Sequence, residues 1–409
     1  MEILMSKVVR LYKTKTKELI CIFIAVLVLI PAEGIAILSP VIYQIIWGSS
    51  ARIFAGGILL LLFIMKLPTV KLDRTVIISV NLFFILMLCI TFIRGGSIRA
   101  FFSNYYNAWA IFLLVVICEN RFSELIDVSL FYLEILIVVN LASILLYPNG
   151  MYISETTHYT KNWILGYKSS LQYYVVPAII FSWISSEYKG TSKRKKLFII
   201  LCLTEAALSE NVMLLLCCMI MAIVDFYKLN KKTLVFNTNN YALVIIMVNV
   251  LVLFFFRNIT YNNFFSKTLL LLQKSNDLGG RINKIWPVAF KKISESFLLG
   301  YGCRTAEWNR NLYGIQAAIH AHNQWLELFM NGGVVLFIAY CFLVYILLRG
   351  WSKKHIISAQ ILLFGLFICF LMGTIEIFMR HIGAAVWMVF YFMPYADRID
   401  QQYKRYCLK

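Results

Sequence analysis

The chain alternates between long apolar runs and short polar loops, and nowhere does a polar stretch of domain size interrupt the alternation. A helix needs about 20 apolar residues to cross a bilayer. By that measure the runs predict spans at 19–38, 51–67, 75–93, 100–118, 126–147, 169–187, 197–208, 211–227, 241–257, 324–348, 356–379 and 382–396. The seventh and eighth are too short to cross alone. They read either as a tightly turned pair or as one long helix broken at Ser209-Glu210-Asn211. The expected fold is an all-α polytopic membrane protein of about 12 transmembrane helices. It forms a single membrane domain over residues 1–409, with one large external loop, 258–321, carrying amphipathic helices.

Loop charge orients these spans. Lys7, Arg10, Lys13, Lys15 and Lys17 precede the first, and Lys66, Lys71 and Arg74 follow the second. Lys189, Lys193, Arg194, Lys195 and Lys196 follow the sixth, and Lys228, Lys231 and Lys232 the eighth. Arg349, Lys353 and Lys354 follow the tenth, and Lys404 and Arg405 lie in the tail. All fall on one side, which the positive-inside bias makes cytoplasmic. Both termini are then inside and the large loop outside.

Composition agrees with this picture. Hydrophobic residues make up 61% of the chain and charged residues only 14%, more apolar surface than a soluble domain needs. A net charge of +19 would suggest nucleic acid, but the short-loop cations account for much of it, so no nucleic-acid partner is expected. Most of the ten cysteines lie in apolar runs, where they act as small hydrophobes, and no spaced Cys/His cluster suggests zinc. The apolar run at 19–38 is long and lacks a small-residue cleavage pattern, so it reads as a retained span.

The outer loop breaks the charge bias. It carries Lys267, Lys274, Arg281, Lys284, Lys291, Lys292, Arg304 and Arg310 against Asp277, Glu295 and Glu307. Ile282, Ile285, Trp286, Ala289, Phe290, Ile293 and Phe297 recur at spacings of three and four, which predicts an amphipathic helix with a membrane-facing or protein-facing stripe. A cationic helix of this kind suits a lipid headgroup or a pyrophosphate. Downstream, His320, His322, Asn323, Gln324 and Glu327 form a polar head before an apolar run that begins at Val334. A second outer loop, 148–168, contains His158, Lys161, Trp163, Gly166 and Lys168. Glu33, Glu134, Glu205, Glu210 and Glu376 fall within predicted spans, where charges default to functional hypotheses. The spacing of Glu376 and Arg380 predicts an i,i+4 ion pair on a helix.

The order Arg281 with Trp286, Gly300-x-Gly302, His322-Asn323 and Gly332-Gly333, in a loop between two late spans, resembles the O-antigen ligase and polymerase superfamily. Gly166-Tyr167-Lys168, opening the sixth span, is similar to an earlier basic element of that family. The resemblance covers roughly residues 160–345. Two departures stand out: Ser169 and Ser170 follow Lys168 where the family often has Asn, and Ser209-Glu210-Asn211 stands where it often has Ser-Arg.

The resemblance implies transfer of a glycan from an undecaprenyl-pyrophosphate carrier to an acceptor hydroxyl, at the outer face of a bacterial inner membrane, without metal or other cofactor. The best-fitting member is a polymerase of lipid-linked repeat units, an inverting glycosyltransferase of O-antigen or capsule assembly. Its partners are the lipid-linked donor and acceptor and the bilayer, with a flippase and chain-length regulators alongside. Such chemistry needs a stabiliser of diphosphate charge and an acceptor of the hydroxyl proton.

His322 is the candidate base, because imidazole titrates near neutral pH, and Arg281 the candidate diphosphate ligand, because its planar fork matches phosphate. Lys168, Lys284, Arg304, Asn323, His320 and Glu210 are expected substrate contacts. The bland alternatives are a capping histidine, a solvated helix face and a snorkelling lysine, and for Asn323 a capping role is as fitting as a substrate contact. His-x-His permits a metal, but no carboxylate at suitable spacing completes a site. A ligase acting on lipid A-core has the same chemistry. A flippase is a different class, but it would be expected to show duplicated halves, which the sequence lacks, and cations in a central cavity.

Overall fold

Helices follow the apolar runs closely, and their ends are set by local chemistry. The structure, a computed structural model, describes residues 2–154, 159–227, 238–255, 280–349 and 356–407. His158, Lys228, Lys231, Lys232, Lys267, Lys274, Asp277, Lys353 and Lys354 lie outside the described residues.

The described helices are α1 (Glu2–Leu29), α2 (Ile35–Leu38), α3 (Pro40–Trp47), α4 (Ser49–Lys66), α5 (Arg74–Ile93), α6 (Ile98–Ile117), α7 (Phe122–Leu146), α8 (Gln172–Lys189) and α9 (Ser192–Leu208). They continue as α10 (Val212–Phe226), α11 (Thr238–Val250), α12 (Trp286–Glu295), α13 (Ala306–Tyr313), α14 (Gln324–Leu348), α15 (Ile357–Met372), α16 (Ala384–Phe392) and α17 (Ala396–Cys407). A two-stranded hairpin, β1 (Asn162–Trp163) with β2 (Gly166–Tyr167), pairs Asn162 with Tyr167 and Trp163 with Gly166. The all-helical expectation did not include this hairpin.

Among the described residues, five segments are long and apolar enough to cross a membrane: Pro40–Thr69, Arg74–Ile93, Ile98–Ile117, Phe122–Leu146 and Gln324–Leu348. Shorter apolar helices accompany them at Val212–Phe226, Tyr241–Leu253 and Ile357–Met372. Ile78, Leu82 and Ile85 project outward from one face of α5, and Ile58, Leu61, Leu62 and Met65 from α4. Such an apolar exterior suits lipid rather than water. At the centre, every residue of α8 from Gln172 to Ser186 is buried, against α7, α9, α15 and α16.

Three predicted spans are shorter than the apolar runs that suggested them. The run at 19–38 breaks after Leu29, where Pro31 removes a backbone donor and biases Ile30 away from the helix. The run at 356–379 stops at Met372, leaving 373–380 irregular, and in the run at 382–396 α16 covers only 384–392 before a 3-10 turn at Met393–Tyr395. The seventh and eighth spans are a turned pair, α9 and α10, joined through Ser209-Glu210-Asn211.

The polar loops gather at two ends of the bundle. At one, Lys71, Glu119, Arg398 and Gln402 tie two loops to α17, and Lys189 pairs with Asp127 at 2.7 Å. At the other, Arg94 donates to Gly300 O (2.8 Å), Asn211 to Lys168 O (2.6 Å), and Gln324 N–H to Gly373 O (2.8 Å). His381 and Glu33 meet there at 2.7 Å. The loops preceding α14 therefore share an end with those after α1, α5, α7, α9 and α15.

The predicted amphipathic helix is a single π turn, Arg281–Ile285, running into α12. Ile282, Ile285, Trp286, Ala289 and Ile293 bury against Leu326 and Met330 of α14, so the stripe faces protein, while Phe297 is exposed. Helix α14 itself is broken at Gly333, whose φ of +59° and ψ of −158° no helix contains. Into this break docks segment 297–302. Val334 N–H donates to Phe297 O (2.9 Å), Tyr301 N–H to Met330 O (2.8 Å) and Gly302 N–H to Asn331 O (3.0 Å). A Cβ on Gly333 would lie 2.4 Å from Leu298 carbonyl atoms, and one on Gly300 2.6 Å from Met330 O. The Gly-Gly and Gly-x-Gly elements are thus two halves of one backbone joint.

Candidate active site

Asn323 fixes the start of α14. Its Oδ1 accepts from Trp325 N–H (3.0 Å) and Leu326 N–H (3.1 Å), and its Nδ2 donates to Thr374 O (2.8 Å) and Asn249 Oδ1 (3.2 Å). The side chain is fully buried and fully used, an N-cap that also holds the loop after α15. Immediately before it, His322 has φ +51°. Among the described residues only Glu210, at φ +54°, shares a positive φ outside glycine. Backbone in this region is costly for a side-chain-bearing residue and clusters at functional sites.

Three elements converge on His322. The π turn supplies Arg281, and Trp286 anchors that turn by donating Nε1–H to Ala321 O (3.1 Å). The loop after α15 supplies Glu376. Arg281 Nη2 donates to Glu376 Oε1 at 2.6 Å. His322 Nδ1 lies 3.2 Å from Glu376 Oε2 and 3.1 Å from Arg281 Nη2. One ring nitrogen cannot donate to the carboxylate and accept from the guanidinium at once. The ionised carboxylate needs the proton more, so Nδ1–H faces Glu376 and the Nε2 lone pair is open. The side chains of His322 and Arg281 retain 17% and 23% exposure, enough for a substrate to reach them.

Burial is the largest influence on His322 and lowers its pKa; the Arg281 charge lowers it further, against an opposing pull from Glu376. The imidazole is therefore neutral at pH 7. Burial alone would raise Glu376, but His322 and Arg281 outweigh it and hold the carboxyl well below its usual range. His320, whose ring centroid is 4.0 Å from that of His322, is a different species. Its Nδ1 accepts the His322 backbone N–H at 3.1 Å, so its proton sits on Nε2. Burial, then His322 and the neighbouring arginines, push its pKa well down. One histidine offers a lone pair and the other an N–H.

Lys168 does not join the His322 group directly. Its Nζ is 3.9 Å from Glu210 Oε2, and Lys161 pairs with the other oxygen of that carboxylate. Burial and then Lys161 lower the pKa of Lys168, against Glu210. Tyr167, next in the hairpin, stacks on Tyr159 at 4.4 Å and feels the charges of Glu376 and Arg281. The strained Glu210 thus heads a second polar group beside the first. Arg304 is occupied elsewhere, donating to Gly95 O and Arg94 O at 3.0 Å each and lying over Trp308. Lys284 is exposed on the π turn.

The expected Glu376–Arg380 helical pair does not form. The chain is not helical there, and Glu376 turns instead to Arg281 and His322. Glu376 also supplies the carboxylate that the sequence spacing lacked: His320, His322 and Glu376 each offer a ligand-type atom within 4.8 Å of the others. The Arg281 guanidinium lies against two of them, His322 and Glu376. No spacing pairs His381 with Glu33, and no motif marks Arg99. Arg94 and Arg99, cations between two predicted spans in a loop that the positive-inside bias would leave without them, are the signal that could have found the latter.

These features define a helical membrane protein with a buried carboxylate–imidazole–guanidinium group at one end of its bundle. Residues 197–341 match the family model described as O-antigen ligase, in accord with the O-antigen ligase and polymerase superfamily. That segment contains Glu210, Arg281, Arg304, His320, His322 and Asn323 but neither Lys168 nor Glu376. The matched segment supports a function of the O-antigen ligase/polymerase type. No curated protein matches the chain.

Proposed function

We propose that the chain polymerises undecaprenyl-pyrophosphate-linked repeat units at the outer face of a bacterial inner membrane. In this reading it crosses the bilayer about 12 times with both termini inside. The observation that carries it is the His322–Glu376 contact of 3.2 Å beside Arg281.

His322 Nε2 takes the proton of the acceptor hydroxyl as its oxygen attacks the anomeric carbon of the donor. The anomeric carbon–oxygen bond to the diphosphate breaks on the opposite face, and the configuration inverts. The electron pair leaves with the lipid diphosphate, whose charge Arg281 and Lys168 stabilise. Glu376 holds Nδ1–H and stabilises the imidazolium that forms, as an orienting carboxylate does for a histidine base. His320 Nε2–H, Asn323 and Glu210 complete the surroundings, Asn323 by fixing the helix start. Lys284 and Arg304 are left as outer cations.

The test is synthesis of lipid-linked polymer by purified chain without an energy source. Elongation by the wild type and its loss in His322→Ala, at equal membrane level, are expected. Normal polymer from that variant would sink the assignment. The description of the matched family favours a second reading, a ligase. Intact long chains left on the lipid carrier after deletion would establish it.

A further inference from the structure

The same end of the bundle contains a cleft of about 260 Å³. Arg99, Arg304, His320, Glu327, Asn331 and Arg380 line it, drawn from the starts of α6 and α14, the loop before α13 and the loop after α15. Through His320 it adjoins the His322 group.

Arg380 is the residue to explain. It is half-buried; its guanidinium forms no side-chain hydrogen bond or salt bridge with a described residue, and Glu376, Glu33 and Glu327 feel its charge from beyond contact. A solvent-reached guanidinium that is not already hydrogen-bonded can meet an anion without first breaking an ion pair. Arg99, exposed at the margin, is likewise without a partner among the described residues. Arg304 spends two N–H groups on backbone carbonyls, but its Nε–H is buried and unmatched. His320 adds an Nε2–H donor, because its Nδ1 is already an acceptor. The opposing charge is Glu327, and both its oxygens are engaged, by Ala321 N–H (2.9 Å) and Asn331 Nδ2 (3.3 Å). Three guanidinia against one carboxylate leave the cleft cationic. Arg281 lies outside this lining and pairs with Glu376 at 2.6 Å.

We propose that this cleft is a second phosphate subsite, held by Arg380 and Arg99, which takes the diphosphate of a second lipid-linked substrate. Arginine forks fit phosphate oxygens in pairs, and neutral N–H donors complete the oxyanion's shell. The inference rests on the reading that two lipid-linked glycans are joined here. One carrier diphosphate leaves near Arg281, while the other is bound intact and places its sugar hydroxyl towards His322.

The test uses full-length chain in nanodiscs and calorimetric titration with inorganic pyrophosphate. Wild type is expected to bind at two sites. Arg380→Gln should lose one of them, and Arg99→Gln, at an exposed position that spares folding, should weaken the same site about tenfold, the worth of one charge-assisted contact. Arg380→Lys should restore part of the binding. Arg281→Gln should lose the other site. A wild-type-like titration by both Arg380→Gln and Arg99→Gln would overturn the subsite. Tighter binding of glucuronate than of pyrophosphate at the Arg380 site would overturn its assignment to a diphosphate in favour of an acidic sugar. Neither outcome touches the role of His322, which the polymer assay of His322→Ala decides separately.

Discussion

Arg281 and His322 are 41 positions apart in the chain and 3.1 Å apart in space. Both reach Glu376, which arrives from a third element. Positive charge beside the ring lowers the imidazole pKa, and the carboxylate restores part of it and fixes the tautomer. The pair is thereby a base that is unprotonated at neutral pH. His322→Ala should lower turnover by about 10²- to 10⁴-fold, the usual worth of a positioned base. Rates of lipid-linked chain elongation at equal protein level check this.

The pH profile follows from the same arrangement. A base works deprotonated, so kcat/KM should fall as pH drops through the His322 pKa, which lies below the ordinary histidine value. Glu376 pulls that pKa upward, so Glu376→Gln should move the acid limb to still lower pH while reducing the plateau. A limb moving to higher pH in the variant would contradict the tautomer argued for Nδ1.

His320 makes the matching prediction for stability. Its folded pKa is depressed by burial and its unfolded value is ordinary, so protons bind the unfolded chain preferentially. Its contribution is complete above the unfolded pKa and is lost as pH falls through the folded one. The thermal midpoint of the detergent-solubilised protein should drop between pH 8 and pH 5. In His320→Gln that drop should be smaller.

Much of this was legible before any coordinates. Polar residues heading an apolar run marked the start of α14, and the three-four spacing marked α12. What periodicity could not show was where an apolar run stops being a helix. Glu376 was visible as a charge, yet an i,i+4 partner was inferred for it across residues that the chain leaves irregular after Met372. Contacts such as Glu376 with Arg281, 95 positions away, leave no local trace in sequence. For Asn323 the sequence left a cap and a substrate contact equally open, since both look the same in a polar cluster; the structure shows the cap.

Gly333 carries a prediction about architecture rather than chemistry. Its φ of +59° and the 2.4 Å approach of Leu298 carbonyl atoms mean that alanine brings both backbone strain and a clash. A loss of about 1–3 kcal/mol is expected from the strain alone. Because the joint anchors 297–302 and hence the loop leading to His322, activity in Gly333→Ala should fall with stability. Thermal unfolding and elongation rate measured on one preparation would separate this from an active-site effect.

The last prediction concerns metal. His320, His322 and Glu376 could ligate a cation, but doing so would use the His322 lone pair or displace Arg281 from Glu376. A guanidinium is permanently charged and needs no loading, so the diphosphate can be met without a divalent ion. Elongation should therefore persist after EDTA treatment and removal of the chelator by gel filtration. Arg281→Gln should lose activity and gain nothing from added Mg²⁺, Mn²⁺ or Zn²⁺. Recovery of chelated wild type only on adding one of those ions would transfer the role given to Arg281 to a metal held by the three residues.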